Sequence, residues 1–423
     1  MVMKKASPFV KSIIRLISGS SIAQLITILG SLVITRIYTP DQLGIYSLLL
    51  TFISIFGPVI SAKYDAAIVL ASNEDEAVDL IWGSLIVAFV LGGIFTVIYI
   101  IYLQYNPQIY EEINGWSYLI ILMLITQAII NILDNYNNRH QEYKLISSVY
   151  VRRTLFQNVG FITLGLFKFE TIGLVISQQI GMFFGLKKQS KFILSQKKNY
   201  YARSWIRIKN VLIKYKKQLF YAFPAHFINS LSYSLLNFFI TGLFGLAIFG
   251  YYSMTFRILA LPLSLVSINV SKVFFRSASK RFESKLSFNK LITQITILLA
   301  FVSIPMVIVL MLFSPMLFEF FFGPGWSVAG KFAQILAPMY GIRLIVSAVS
   351  PTLMVVGQQK LEVFMQALFI ISSLVSYFIC YIFGQSIEAF LTYVSISYSI
   401  VYIVFYIVIY KLSKNRRMNN YNA

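Results

Sequence analysis

Apolar residues run through this chain in blocks of about 20, separated by short stretches that hold Lys, Arg, Asp, Glu, Pro or Gly. An α-helix needs about that length to cross ~30 Å of hydrocarbon at a rise of ~1.5 Å per residue. The pattern predicts an all-α polytopic membrane protein with about 12 transmembrane helices. The predicted spans are 13–35, 43–62, 80–103, 117–135, 149–167, 170–186, 219–243, 247–271, 292–313, 332–357, 363–384 and 387–410.

Composition supports the membrane assignment and excludes several classes of protein. Hydrophobic residues make up 58% and charged residues 12% of the chain, with a mean hydropathy of +0.74. That charged fraction is about half of what soluble domains carry, so a water-soluble fold is excluded. The single cysteine, Cys380, cannot form an internal disulfide, and no His/Cys cluster, His-Glu motif or phosphate-binding Gly-rich loop is present. We expect no metal, no cofactor and no enzymatic chemistry.

The positions of Lys and Arg predict the orientation in the membrane. The chain has 36 Lys and Arg against 15 Asp and Glu, a formal net charge of +21. Short cytoplasmic loops hold the basic excess, and placing both termini inside puts 31 of the 36 basic residues there. The N- and C-termini are therefore predicted to be cytoplasmic. Charge spread over many loops is typical of membrane topology rather than of a nucleic-acid-binding face.

One cytoplasmic segment, 187–217, is unusually basic. It has eleven Lys and Arg, no acidic residue, and interleaved apolar and aromatic residues such as Trp205. Such a segment can lie on the anionic inner leaflet, or it can be a solvated linker between two halves. We favour the contact with anionic inner-leaflet lipid.

An offset of 206 residues superimposes the two halves of the chain. It places Gly44-Ile45-Tyr46-Ser47 on Gly250-Tyr251-Tyr252-Ser253, at the starts of spans two and eight. The repeat predicts two six-helix lobes, 1–212 and 213–423, with the basic linker at their junction. Six spans is an even number, so the lobes share one orientation and are related by a pseudo-two-fold axis along the membrane normal.

Polar stripes at helical spacing strengthen the repeat. Span one carries Ser20, Gln24, Thr27, Ser31 and Thr35, which the offset matches with His226, Ser230, Tyr233, Asn237 and Thr241. Span two carries Ser47, Thr51, Ser54, Pro58, Ser61 and Asp65, matched with Ser253, Arg257, Ala260, Ser264, Ser267 and Ser271. Ser and Thr by themselves can simply pack helices closely. The larger polar groups at Gln24, His226, Asn237 and Arg257 favour a wet cavity between the lobes.

Charged residues inside the spans predict the ligand. Burying Arg257 or Arg343 costs roughly 2.5–3.5 kcal/mol, so each needs a partner or water. Guanidinium groups suit phosphate oxygens, which indicates an anionic ligand. Arg36 lies at the outer end of span one, where it is either a ligand-binding residue at the outer mouth or an interfacial anchor. Asp65 and Asp134 lie at cytoplasmic span ends and are the candidates for coupling to an ion.

Several stretches carry a family resemblance. They are Ser18-Gly19-Ser20-Ser21-Ile22-Ala23-Gln24, Thr35-Arg36-Ile37-Tyr38-Thr39-Pro40, Leu43-Gly44-Ile45-Tyr46, Tyr64-Asp65-Ala66-Ala67-Ile68-Val69-Leu70, Glu74-Asp75-Glu76-Ala77, Phe223-Pro224-Ala225, Gly250-Tyr251-Tyr252 and Phe256-Arg257-Ile258-Leu259-Ala260-Leu261-Pro262-Leu263. With them the chain resembles the bacterial polysaccharide-biosynthesis exporters. These are the O-antigen or oligosaccharide flippases of the multidrug/oligosaccharidyl-lipid/polysaccharide exporter superfamily.

The resemblance implies twelve helices in two lobes around a cationic central cavity. It also implies the cargo, an oligosaccharide linked to undecaprenyl diphosphate, carried from the inner to the outer leaflet of the bacterial cytoplasmic membrane. Other polysaccharide-assembly proteins are then expected as partners, and nucleic acid is not. Arg257 lies within a matching stretch and Arg343 does not, while Asp65 stands where the family usually has Glu.

Three other functions compete with a flippase. A cation-coupled small-molecule exporter on the same fold would need carboxylates inside the membrane, whereas the mid-span charges here are basic. A membrane polymerase or ligase would need a sizeable outer loop, and the longest outer connection, 314–330, holds one carboxylate, Glu319. A scaffold is the third alternative. The sugar composition, coupling ion and oligomeric state stay open.

Overall fold

The computed structural model describes residues 8–113, 116–191, 193 and 204–414, and these residues contain helices and no strand. The helices are α1 (Pro8–Ile37), α2 (Pro40–Phe56), α3 (Tyr64–Ala67), α4 (Glu74–Gln104), α5 (Pro107–Ile113), α6 (Leu119–Arg139), α7 (Tyr143–Leu166), α8 (Glu170–Phe183), α9 (Leu186–Gln189), α10 (Trp205–Lys214), α11 (Phe223–Pro262), α12 (Ile268–Glu283), α13 (Asn289–Phe322), α14 (Ser327–Val349), α15 (Thr352–Val355), α16 (Gln359–Phe383) and α17 (Ile387–Lys414).

The apolar helices confirm a multi-pass membrane protein. Within the described residues, eight helical segments are long and apolar enough to cross a membrane. They are Pro40–Val59, Glu74–Gln104, Leu119–Arg139, Ser234–Glu283, Asn289–Phe322, Ser327–Val355, Lys360–Phe383 and Ile387–Lys414. The remaining predicted spans coincide with helices α1, α7 and α8 or share the long segment that begins at Ser234. The number twelve and the cytoplasmic termini stay predictions.

Two predicted spans differ from the helices in an informative way. The helix α2 ends at Phe56, six residues before the predicted end of span two, and continues as a 3-10 turn over Gly57–Val59. Pro58 has no N–H to continue the helical ladder. The predicted spans seven and eight meet within α11, where Gly245 (φ 83°, ψ 178°) interrupts the helical backbone. Only glycine reaches such angles at little cost.

Local capping explains where α2 and α4 begin. The Thr39 side chain accepts a hydrogen bond from the Gln42 N–H, and the Gln42 side chain accepts one from the Thr39 N–H. Asn73 caps α4 by accepting from the Glu76 N–H at 2.8 Å. The first turn of α4 is acidic, which suits the positive end of a helix dipole.

The chain folds into two compact units, Met1–Ser234 and Leu235–Ala423. In the first unit, α1 packs on α7, α7 on α8, and α4 on α6. The helix α2 is buried over most of its length, with Leu48 and Leu49 almost fully covered. In the second unit, α14 packs on both α13 and α17 and is its most buried long helix.

Small residues bring α13 and α14 close together. Ser303 Oγ donates to the Gly341 carbonyl at 2.9 Å, and Ser314 Oγ donates to the Gly330 carbonyl at 2.8 Å. A Cβ at Gly330 would lie 2.5 Å from Cα of Pro315, a distance that backbone atoms cannot relieve. The two helices are therefore in backbone contact, as small residues permit in membrane proteins.

The amphipathic helix α10 docks on the start of α4. Ile208 is buried, and a Cβ at Gly83 would lie 2.8 Å from Cδ2 of Leu212. Arg207 Nε lies 3.5 Å from Asp79 Oδ2, and Lys214 forms an ion pair with Glu76. Of the predicted basic segment 187–217, residues 192 and 194–203 lie outside the described residues. Contact of this segment with lipid stays a prediction.

Candidate functional site

A stripe of amide side chains runs along α6. Gln127, Asn131 and Asn135 are four residues apart, so they share one face of the helix. Gln127 Nε2 donates to Asn131 Oδ1 at 2.8 Å, and Asn131 Nδ2 donates to the Gly57 carbonyl at 2.9 Å. The stripe is thus a connected hydrogen-bonded ladder on an apolar helix, which fixes the orientation of each amide.

The broken end of α2 faces this ladder. A Cβ at Gly57 would lie 3.1 Å from Cγ of Gln127, so glycine permits the close approach. After the 3-10 turn, Ala62 (φ 47°) and Lys63 (φ 66°) both adopt the left-handed conformation. Such angles cost a non-glycine residue roughly 1–2 kcal/mol each, so the surrounding packing must impose this turn.

Asp65 is the most buried carboxylate of this region. Asp65 is 3% exposed, and its Oδ2 accepts a hydrogen bond from Asn135 Nδ2 at 3.1 Å. Among the described residues, no hydrogen-bond donor reaches its other oxygen, Oδ1. Burial raises the pKa of Asp65, and the positive charge of Lys63 acts in the opposite direction. The carboxyl therefore holds a proton more tightly than one in water.

Asp134 lies on α6 between Asn131 and Asn135 of the ladder. Its Oδ1 accepts a hydrogen bond from Gln189 Nε2. Gln189 in turn accepts from Arg153 Nη2 at 2.7 Å. The half-buried side chain is thus hydrogen-bonded to an amide that also bonds the cation of Arg153.

These groups enclose one cavity of about 610 Å³ within the first unit. Its lining combines hydroxyl, amide and carboxylate groups with one ammonium group and a few apolar side chains. The lining residues are Leu50, Ile53, Ser54, Gly57, Pro58, Lys63, Asp65, Gln127, Asn131, Asp134 and Asn135. Both predicted ion-coupling residues, Asp65 and Asp134, are therefore brought to the same cavity. Amide and carboxylate groups in this arrangement can hydrogen-bond a polyhydroxylated ligand or attract a cation.

Three other predicted site residues belong to the first unit but do not line this cavity. Gln24 is half-buried on α1, and Arg36 is exposed, with Nη1 donating to the Leu32 carbonyl at 3.1 Å. His226 is exposed near the start of α11 and lies within electrostatic reach of Lys63. Two members of the predicted stripes, Ser20 and Tyr233, have side chains outside the described part of the chain.

The remaining predicted site residues belong to the second unit. Arg343 is half-buried on α14, and its Cζ lies 5.4 Å from the ring centroid of Tyr340, a cation–π geometry. It also interacts electrostatically with the buried Tyr252 of α11. Asn237 and Arg257 are half-buried on α11. That the residues of the two units share one ligand stays a prediction.

The amide ladder was missed from the sequence. The 127/131/135 spacing is visible there, because Gln, Asn and Asn recur every fourth residue in an apolar span. Polar residues at helical spacing in a membrane helix must face protein or water, so the signal existed.

The fold is similar to those of known transporters. It resembles an inward-facing multidrug resistance MATE family transporter of the MOP superfamily, with a TM-score of 0.70 and 14% identity over 97% of this chain and 99% of that one. The inward closed conformation of the lipid II flippase MurJ matches with a TM-score of 0.69 and 14% identity, over 93% of this chain and 87% of that one. A MOP superfamily transporter from Pyrococcus furiosus gives a TM-score of 0.62 and 14% identity, over 96% and 97%.

The class that the fold defines is thus a multi-pass membrane protein, with a fold similar to that of MOP-superfamily transporters. More particularly, residues 33–331 match the family described as polysaccharide biosynthesis protein, and the chain belongs to this family. The family predicted from the sequence motifs is confirmed. No curated protein matches the sequence significantly.

Proposed function

We propose that this protein is a flippase for an oligosaccharide linked to undecaprenyl diphosphate, moving it from the inner to the outer leaflet of the bacterial cytoplasmic membrane. The observation that carries the proposal is the cavity bounded by the amide ladder, in a chain of the polysaccharide biosynthesis family. Sugar hydroxyls need hydrogen-bond partners when they leave water, and the ladder offers them inside an apolar bundle.

The three chemical parts of such a substrate meet different surroundings. The sugars contact the amides of α6, together with Gln24, His226 and Asn237. The diphosphate is held by Arg257 and Arg343, whose guanidinium groups suit phosphate oxygens, with Arg36 at the outer mouth. The polyprenyl tail stays in the bilayer. The protein therefore lowers only the free-energy cost of moving the polar head of the substrate across the membrane.

Transport proceeds by alternating access through a cationic central cavity, in a chain of two six-helix lobes, 1–212 and 213–423. Parallel repeats related by an axis along the membrane normal are a common basis for such rocking. The basic segment 187–217 rests on anionic inner-leaflet lipid, and other polysaccharide-assembly proteins supply and take up the cargo. The protein itself performs no covalent chemistry.

Coupling to a proton or another cation rests on Asp65 and Asp134. Both line the cavity, and burial raises the pKa of Asp65, so its protonation can change when the cavity gains or loses contact with bulk water. Uptake of a proton would remove a negative charge beside Lys63. The charge of the cavity, and with it the affinity for cargo, would then differ between the two states.

A leaflet assay in reconstituted vesicles tests the proposal. A fluorescent undecaprenyl-diphosphate oligosaccharide is added to one leaflet, and its appearance in the other is followed with an impermeant quencher. We expect the wild type to accelerate transfer and Arg257→Ala and Asn131→Ala each to slow it about tenfold, the effect of ~1.4 kcal/mol. Arg281→Ala, which removes an exposed arginine of α12, is the matched control and should transfer at the wild-type rate.

Each outcome has a defined meaning. No transfer by the wild type across several sugar compositions would overturn the flippase assignment. Transfer by Arg257→Ala at the wild-type rate would leave the flippase standing and make Arg257 structural. Melting temperatures of the variants, measured in detergent, separate a lost contact from a lost fold.

A second candidate function is a cation-coupled small-molecule exporter. It is favoured by one observation, the two carboxylates Asp65 and Asp134 in a single cavity, which could attract a cationic cargo. Efflux of a fluorescent organic cation from the same vesicles distinguishes the two functions. Efflux that depends on Asp65 would support the exporter, and its absence alongside lipid transfer would support the flippase.

A further inference from the structure

A second cavity of about 590 Å³ lies in the first unit, apart from the amide ladder. It is formed where the α6–α7 connection and α7 meet α9, on the face predicted to be cytoplasmic. Four cations and one carboxylate line it, which leaves a net charge of +3. The lining residues are Asn137, Glu142, Lys144, Leu145, Ser148, Arg152, Lys188 and Lys191.

The cations of α7 and of the α9 region come together because the backbone turns at Gly185. This residue has φ 90°, which favours glycine, and it turns the chain from α8 into α9. A Cβ there would also lie 2.4 Å from Cγ1 of Val149 on α7. The close approach lets Lys188 and Lys191 line the same cavity as Lys144 and Arg152.

The wall that carries Lys188 and Lys191 is fixed by buried contacts. Gln189, between them, is fully buried, and its side chain bonds both Arg153 and Asp134. Its carbonyl accepts a hydrogen bond from Asn137 Nδ2 at 3.2 Å. Arg153 Nε further donates to the Phe184 carbonyl at 3.1 Å. The backbone position of Lys188, next to Gln189 in α9, is therefore set before any ligand binds.

We propose that this pocket binds a phosphate group. The four cations line one concave space, so an anion bound there faces several positive charges at once. Ammonium and guanidinium groups around a small concave space suit the several oxygens of a phosphate, and a phospholipid headgroup and a soluble phosphate both present them. The inference goes beyond the proposed transport, because none of the proposed cargo-binding residues takes part in it.

Binding measurements on the purified full-length protein in detergent test the site. Inorganic pyrophosphate is titrated by calorimetry, and retention of phosphatidylglycerol against phosphatidylcholine is measured by native mass spectrometry. We expect the double variant Arg152→Gln/Lys188→Gln to bind about tenfold more weakly. The control, Lys209→Gln/Lys217→Gln, removes the same charge from positions that are as exposed as Arg152 and Lys188 but lie outside the pocket, and it should change binding less than about twofold. Glu142→Gln, which removes the one negative charge of the lining, should tighten binding.

The two probes distinguish the sources of the phosphate. A loss confined to phosphatidylglycerol in the pocket variant supports a headgroup site, and a loss confined to pyrophosphate supports a soluble ligand. Equal losses in the pocket variant and the control would overturn the proposal, as would a wild type that binds neither probe. Because the readout is binding rather than transfer, a failed flippase assay would leave this result unaffected.

Discussion

Asp65 shows how burial changes a single side chain. At 3% exposure it has exchanged water for one hydrogen bond from Asn135 and the nearby charge of Lys63. An ionised carboxylate is poorly solvated in such a place, so its pKa is raised. The cavity therefore contains a group whose charge depends on access to water.

Replacing Asp65 by Asn tests this change in pKa. The folded-state pKa lies above the unfolded value of about 3.9, so the folded state binds the proton more tightly. Wild-type stability then falls as the pH rises from about 4 through the folded-state pKa, and Asp65→Asn avoids that loss. We expect melting temperatures in detergent to coincide near pH 4, with the variant melting a few degrees higher at pH 8. A constant difference across this range would contradict the raised pKa.

Lys63 permits a separate test of backbone strain. Its φ of 66° costs a residue with a Cβ about 1 kcal/mol, which glycine avoids. Lys63→Gly and Lys63→Ala both remove the charge, so the difference between them isolates the backbone. We expect Lys63→Gly to melt higher than Lys63→Ala in the same detergent. Equal melting temperatures would show that the left-handed turn is not strained.

At the scale of elements, α10 is held against α4 by one face only. Ile208 is buried on that face, whereas Ile206 is 68% exposed. The two isoleucines thus form a matched pair on the same helix. The ion pairs Arg207–Asp79 and Lys214–Glu76 flank the apolar contact. Because the cationic partners are exposed, these pairs add little, and the apolar contact supplies most of the docking energy.

Hydrogen exchange of residues 205–214 measures this docking. Ile208→Ala should weaken it by about 2–4 kcal/mol and raise the exchange of the α10 amides by about two orders of magnitude. Ile206→Ala removes the same atoms from an exposed position and should leave exchange close to the wild-type rate. Fast exchange in both variants, or in neither, would show that the apolar face does not hold the helix.

At the scale of the whole molecule, the distribution of basic residues predicts the orientation. Cys380 is the only cysteine, so Cys380→Ser gives a cysteine-free chain. In that background, Lys144→Cys should react with an impermeant maleimide only after the cells are opened, because its loop is predicted to be cytoplasmic. Lys168→Cys, in the short connection between α7 and α8, should react in intact cells. The reverse labelling pattern would invert the predicted topology.

The sequence predicted the helices well because lipid imposes a strong rule. Backbone groups in hydrocarbon must bond within their own segment, so about 20 apolar residues in a row predict a helix with little influence from the rest of the fold. Short motifs around Arg36, Asp65 and Arg257 also predicted the family. Pro58 lies inside the predicted span 43–62 and fits either a bend or a continuous membrane helix, and the structure shows that α2 ends just before it, at Phe56.

The sequence by itself thus determined the class of fold, the family and the candidates Asp65 and Asp134. Only the tertiary structure decided that these two carboxylates share a cavity with Gln127, Asn131 and Asn135. It likewise decided that the basic segment contributes two lysines to a defined pocket with Lys144 and Arg152. Hydropathy and charge are properties of residues in their order along the chain, so the sequence alone predicts the helices and their orientation. The neighbours of a side chain depend on how helices pack, and that depends on close contacts such as those at Gly57 and Gly185 between residues far apart in sequence.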